Sequence, residues 1–450
     1  MNSTSEIGAA IIEAGASGDL NQLKAIRKKV GDEWEFRKIC NEYSDFSTGR
    51  TVLHHAAEIG HFEICKFLIK SVQVYINPLT YKRDTPLAEA VKGGHIKIVE
   101  FLIKQGADDS FPNTEGLTPL HYALLKDNKK LVELLLAEGA FVDADSLDGT
   151  PLQIAASRGN LDAIKSLLFC GADVGQPSVA LFPNLFCAVV DTPLVCAVKA
   201  RSFECLAVLL AAKANPNLYF SGLSPLGFAA KEGDTIFLKC LLQAKADPNL
   251  VQTDIYKPIE DAAMVHNRAA VEILFPVTER LAHYPNWTID GIIEYIHSEE
   301  YKEMREEKLT KRLTELELGG KRDASHKNYY NGILKYKKAS LLDPSNPRWI
   351  SKQSLWEARL GSGSYALTDA QRWIRLKPDL NVPHHGGENA DAANVIFKKF
   401  LMAGLAFLLD PCNEEIGYAF GVTLFDYFAL LCQISSPLEI LELQNPWCRF

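Results

Sequence analysis

From Thr51 onward, apolar and polar positions alternate in blocks that predict two short helices per unit, repeated down the chain. Each unit opens on a four-residue head, at Thr85-Pro86-Leu87-Ala88, Thr118-Pro119-Leu120-His121, Thr150-Pro151-Leu152-Gln153, Thr192-Pro193-Leu194-Val195 and Ser224-Pro225-Leu226-Gly227. An earlier head, Thr51-Val52-Leu53-His54, lacks the proline. First positions lie 34, 33, 32, 42 and 32 residues apart, a period of about 33 with one insertion. A small-residue pair follows the head (Ala56-Ala57, Ala155-Ala156, Ala229-Ala230), then a turn at Gly60-His61, Gly94-His95, Gly159-Asn160 or Gly233-Asp234. The second helix is apolar, as in Ile98 to Ile103, and the unit closes on Gly-Ala-Asp or a relative of it.

Each feature has a physical reason. Thr or Ser at the head is an N-cap whose hydroxyl accepts an early helical N–H. Pro follows at the first helical position, where its missing N–H costs nothing. Small residues let neighbouring units approach closely, and no unit can bury its apolar face alone, so stability comes from stacking. The array has ends and an interruption. Ala9 to Val30 reads as a helix–turn–helix cap without the head motif, turning at Gly18-Asp19-Leu20, and Pro258 to Phe275 reads as a degenerate cap. The insertion at 175–190, apolar at Phe182, Phe186 and Cys187, either folds back or marks a contact.

The pattern changes after Pro276. Pro285 to Asp290 reads as a capped helix entry anchored by Trp287, and Glu299 to Lys308 as a mixed-charge, solvated linker helix. From Leu313 the phrases around Pro344, Pro378 and Pro411 close three units at spacings of 34 and 33, and Phe420 to Cys432 offers an apolar capping helix.

The head-bearing units, roughly residues 8 to 276, resemble ankyrin repeats. Gly320, Tyr329, Tyr336, Ala339 and Pro344 fall at the characteristic positions of a tetratricopeptide motif. The order of the two resembles a plant ankyrin–tetratricopeptide family. The resemblance implies an all-α chain, an ankyrin-repeat solenoid followed by a short degenerate tetratricopeptide-repeat helical solenoid. Its expected division is an array over 1–276, a linker and charged helix over 277–312, tetratricopeptide-like repeats with a capping helix over 313–433, and a tail over 434–450. It also implies ligand-contacting positions on the concave face. Carried over one by one, these are Arg50 and Glu58; Asp84 and Lys92; Leu117, Leu125 and Lys126; Ser157 and Arg158; Asp191 and Lys199; and Leu223, Lys231 and Glu232. Tyr219-Phe220 on a neighbouring finger either joins them or packs on the next finger.

Relatives of this architecture clamp the acidic tails of heat-shock chaperones, using asparagines and Lys/Arg to neutralise and hydrogen-bond carboxylates. Aligned on Gly320, the clamp positions hold Glu317, Lys321, Lys352, Val382 and Gly386, so the clamp reads as lost; residual tail binding would rest on Lys321, Arg322 and Lys352.

Composition narrows the remaining choices. The chain of 450 residues carries a net charge of -8, which argues against nucleic acid as main partner. No run of 18 apolar residues exists to span a membrane. The start, Met1 to Glu6, lacks the regions of a signal peptide, and the expectation is a cytoplasmic, possibly nuclear, protein. None of the ten cysteines pairs at zinc spacing, and most sit in apolar helical runs. No phosphate loop, nucleophile elbow or His-Glu-x-x-His is present. The expected function is a non-enzymatic scaffold binding a protein partner without a cofactor or metal. The alternatives are a co-chaperone for chaperone tails and a chromatin or nucleic-acid adaptor.

Overall fold

The computed structural model describes residues 2–146, 148–175, 191–218, 223–251 and 256–359; the notable positions at 176–190, Tyr219, Phe220, Val382 and Gly386 and the units closed by Pro378 and Pro411 lie outside these. Two compact units divide at Arg312/Leu313. The described residues form helices and no strand.

The first unit begins with α1 (Asn2–Ser17), α2 (Leu20–Val30) and α3 (Glu33–Glu42). Helix pairs follow: α4 (Val52–Ile59) with α5 (Phe62–Phe67), α6 (Pro86–Gly93) with α7 (Ile96–Lys104), and α8 (Pro119–Leu125) with α9 (Lys129–Ala137). Next come α10 (Pro151–Ser157) with α11 (Leu161–Phe169), α12 (Pro193–Lys199) with α13 (Phe203–Ala211), and α14 (Pro225–Glu232) with α15 (Thr235–Gln243). The pair α16 (Pro258–Met264) and α17 (Arg268–Leu274) precedes α18 (Ile289–Ile296) and the long α19 (Glu299–Ser325).

The even-numbered members from α4 to α18 pack in sequence, each on the next, and form an inner row begun by α1. The heads act as their composition requires. Thr85, Thr150, Thr192 and Ser224 accept N–H bonds from the residue three positions on, with Pro at the helix start. One core runs through every pair, including Leu53, Leu87, Leu120, Leu152, Leu194 and Leu226 of the heads. Gly93 shows how closely neighbours approach, since a Cβ there would sit 2.3 Å from the Glu58 carbonyl oxygen.

Two elements depart from the sequence expectation. The N-terminal cap carries a third helix, α3, which buries Phe36, Ile39 and Cys40 and caps the π-helical turn Leu68–Val72 through Arg37 Nε to Val72 O at 2.6 Å. The segment expected to be a linker over 277–312 is packed through Tyr301. Tyr284, Ile292, Ile296 and Tyr301 join the same core, and Trp287 stacks on Phe275 with centroids 5.8 Å apart. Buried Glu260 explains the docking, because its Oε1 accepts from Tyr284 OH at 3.3 Å and Tyr301 OH at 3.1 Å.

In the second unit α20 (Tyr329–Leu342) and α21 (Pro347–Arg359) pack together over Leu316, Tyr336, Ala339 and Trp349. Gly320 lies against Tyr336, where a Cβ would come within 2.7 Å of the ring.

Candidate protein-binding face

The head residue fixes the geometry of the first unit's inner face. Counting from it, the residue just before the head, the residue four on and the residues seven and eight on share that side. The backbone there is pinned by histidine in two units. His54 Nδ1 bonds the Thr51 N–H at 3.1 Å, and its Nε2 reaches Pro78 O and Asp84 O of the next finger, each at 3.1 Å. His121 does the same from Thr118 N to Gly149 O, at 3.0 and 3.2 Å. Both rings are buried, and burial lowers both pKa values to about 4, so they are neutral bridges. The turn histidines hold backbone too: His61 Nε2 meets Ala16 O at 3.0 Å and His95 Nε2 meets Glu58 O at 2.8 Å. Gln153 takes the histidine's place as the fourth head residue; its Oε1 accepts from Thr150 N at 2.7 Å, but its buried Nε2 has no hydrogen-bond partner.

On this scaffold the expected contact positions sort into paired, buried and open groups. Arg50 Nη1 donates to Glu58 Oε2 at 2.7 Å and Nη2 to Glu89 Oε2 of the next unit at 3.0 Å. Lys92 Nζ donates to Asp84 Oδ2 at 2.6 Å and lies 4.4 Å from the Tyr122 ring centroid. Tyr122 OH donates to Asp84 Oδ1 at 2.9 Å, which closes a network across three units. Burial pushes the Glu89 carboxyl up against the opposing pull of Lys92 and Arg50. The arrangement recurs once: Lys199 bonds Asp191 and lies 5.3 Å from the Phe228 centroid.

Two expected contact residues are therefore corrected. Leu117 is 5% exposed and packs inward, its N–H held by Asn113 Oδ1 at 2.9 Å. Asp84, 4% exposed, is committed to Lys92 and Tyr122. Arg50, Glu58, Lys92, Asp191 and Lys199 are engaged with one another or with neighbouring carboxylates. Leu223 is half-buried, and exposed Glu232 accepts from Arg201 at 3.4 Å. Lys231 is exposed opposite buried Asp261. Between the two networks lie half-buried Leu125 and exposed Lys126, Ser157 and Arg158. Sequence reasoning missed Glu89, Tyr122 and Phe228, four residues after their heads. Their three- and four-residue spacing to the positions seven and eight on was the available signal.

In the second unit Glu317 does not stand as a bare repulsive charge. It accepts from Arg348 Nη2 at 2.5 Å and pairs with Lys321 Nζ at 3.2 Å. The lysine at a clamp position is thus already neutralised. Among the described residues no group of three or more His, Cys, Asp or Glu could hold a metal, and no helix is long and apolar enough to cross a membrane.

A family model for three copies of ankyrin repeats matches residues 11–111 and 106–178. An ankyrin repeat protein of fowlpox virus (strain NVSL) is 33% identical over 171 residues, which is 37% of this chain and 36% of that protein. A protein of Oryza sativa subsp. japonica named as an E3 ubiquitin-protein ligase is 28% identical over 204 residues, 38% of this chain and 40% of that one. The crystal structure of the human ASB11 ankyrin repeat domain is 24% identical with a TM-score of 0.43, covering 52% of this chain and 100% of that one. The chain thus spans well under half the length of these two curated relatives. The capped helix pairs, the continuous core and the matched residues together make the first unit an ankyrin-repeat solenoid.

Proposed function

We propose that this chain is a non-enzymatic scaffold that captures a protein partner on the concave inner face of its ankyrin array. The carrying observation is the contrast along that face. Its charges over the heads at Thr51, Thr85 and Thr192 neutralise one another, whereas Lys126, Ser157 and Arg158 are left open to solvent between them beside half-buried Leu125. A half-buried apolar side chain flanked by exposed basic ones, next to a self-satisfied frame, has the ingredients of an interface hot spot. The second unit is proposed to be tetratricopeptide-like, supported by the Gly320–Tyr336 contact and the α20–α21 pair. The pairing of Lys321 with Glu317 gives no support to chaperone-tail capture there. A reducing compartment, cytoplasmic or nuclear, is proposed because Cys40, Cys65 and Cys196 lie free in the core, their thiols pushed up to about 12 by burial.

The test replaces Leu125, Lys126 and Arg158 together by Ala in the full chain and compares partner capture by quantitative mass spectrometry. The expected outcome is loss of the captured partner with unchanged circular dichroism and thermal unfolding. Undiminished capture by a folded triple variant would refute the proposal.

A further inference from the structure

We propose that the segment bound on this face is an extended, acidic peptide with two carboxylates three residues apart, read by Lys126 and Arg158. The inference rests on the concave-face function proposed above and specifies the partner's chemistry. Lys126 and Arg158 are the C-cap residues of α8 and α10, equivalent positions on adjacent inner helices, and both are exposed. Neither has an ion-pair partner among the described residues, whereas Lys92 and Lys199 in the flanking units are bonded to Asp84 and Asp191. The nearest carboxylate in sequence, Asp127, is already engaged by Asn160 Nδ2 at 2.6 Å. Two unsatisfied cations therefore persist at the centre of the face in a chain whose net charge is -8.

The spacing follows from packing. Adjacent helices stand about 8–10 Å apart, and an extended chain advances roughly 3.3 Å per residue. Consecutive units are thus spanned by three residues, and a carboxylate at i meets one cation while a carboxylate at i+3 meets the next. Leu125 and Ser157, one position before each cation, offer an uncharged floor, so the two intervening residues of the ligand are uncharged. Opposite charges across the interface also speed encounter and reject basic competitors.

Selection from a display library of random 12-residue peptides against the full chain tests this directly. The expected result is enrichment of Asp/Glu pairs at i, i+3, with binding of the selected peptides weakened ~10-fold or more by Lys126→Gln with Arg158→Gln, an effect in the range measured for paired interface charges. Lys129→Gln, on outer helix α9 where Lys129 pairs with Asp162 at 2.7 Å, should leave binding unchanged. Neutral or basic peptides that lose binding on Leu125→Ala but not on the double replacement would overturn the acidic inference while leaving the concave face intact. Peptides insensitive to all of these variants, or recovery of no binding peptide, would also overturn it; insensitivity counts against the concave face as well.

Discussion

Asp261 and the head histidines make the array's stability depend on pH from opposite sides. Asp261 is 6% exposed, its Oδ2 has no hydrogen-bond partner, and burial beside Glu260 raises its pKa to about 7 despite Lys231. A raised carboxyl pKa contributes stability that is fully present below its unfolded value and is lost as pH climbs through about 7. His54 and His121 act in reverse. Their pKa values, lowered to about 4 by burial, give a contribution present above the ordinary histidine value that drains away as pH falls through about 4. Chemical denaturation should therefore show greatest stability between these limits. Asp261→Asn should flatten the decline between about pH 4 and 7 and raise stability at pH 8 by roughly 2–4 kcal/mol, at most the linkage of a carboxyl raised from 3.8 to about 7. An unchanged decline over that range would mean that Asp261 ionises freely in the folded array.

At the scale of elements, the cap formed by α18 and the start of α19 hangs on one buried carboxylate. Glu260 Oε2 accepts from Lys257 N at 2.9 Å while Oε1 takes the two tyrosine hydroxyls. Tyr301→Phe removes one donor and leaves the buried Glu260 carboxyl oxygen under-bonded. The expected loss is about 1–3 kcal/mol in equilibrium unfolding, the range for a buried group deprived of a partner; a loss below ~0.5 kcal/mol, the level of ordinary surface changes, would show that the tyrosines do not hold the cap. This element also marks where the sequence stopped being legible. The head motif reported the helix pairs because Thr, Pro and Leu each answer a local demand that composition displays. Glu299 to Lys308 displays opposite charges at helical spacing, which fits a solvated helix equally well. Nothing local to Tyr301 shows that Glu260, 41 residues earlier, will accept its hydroxyl. Helix α3 escaped for a similar reason, since Phe36, Ile39 and Cys40 bury against neighbouring helices and lack a head of their own. The contact face was legible as positions and not as state. The ankyrin resemblance named Arg50, Lys92 and Lys199 as contact positions, but only coordinates show each already committed to a neighbouring carboxylate.

For the whole molecule, the repeat frame and the binding surface divide the work. Backbone-bridging histidines and self-paired charges fix the inner row, so the backbone that carries the open positions on α8 and α10 has little ordering left to do on binding, a condition that favours affinity. The central claim is that capture occurs there. Hydrogen–deuterium exchange of the full chain, with and without its captured partner, tests it most directly. The account predicts that added protection maps to the C-terminal turns of α8 and α10 around 122–126 and 154–158, with the outer helices α9 and α11 unchanged. Protection confined to α9 and α11, or to residues 313–359, would contradict it.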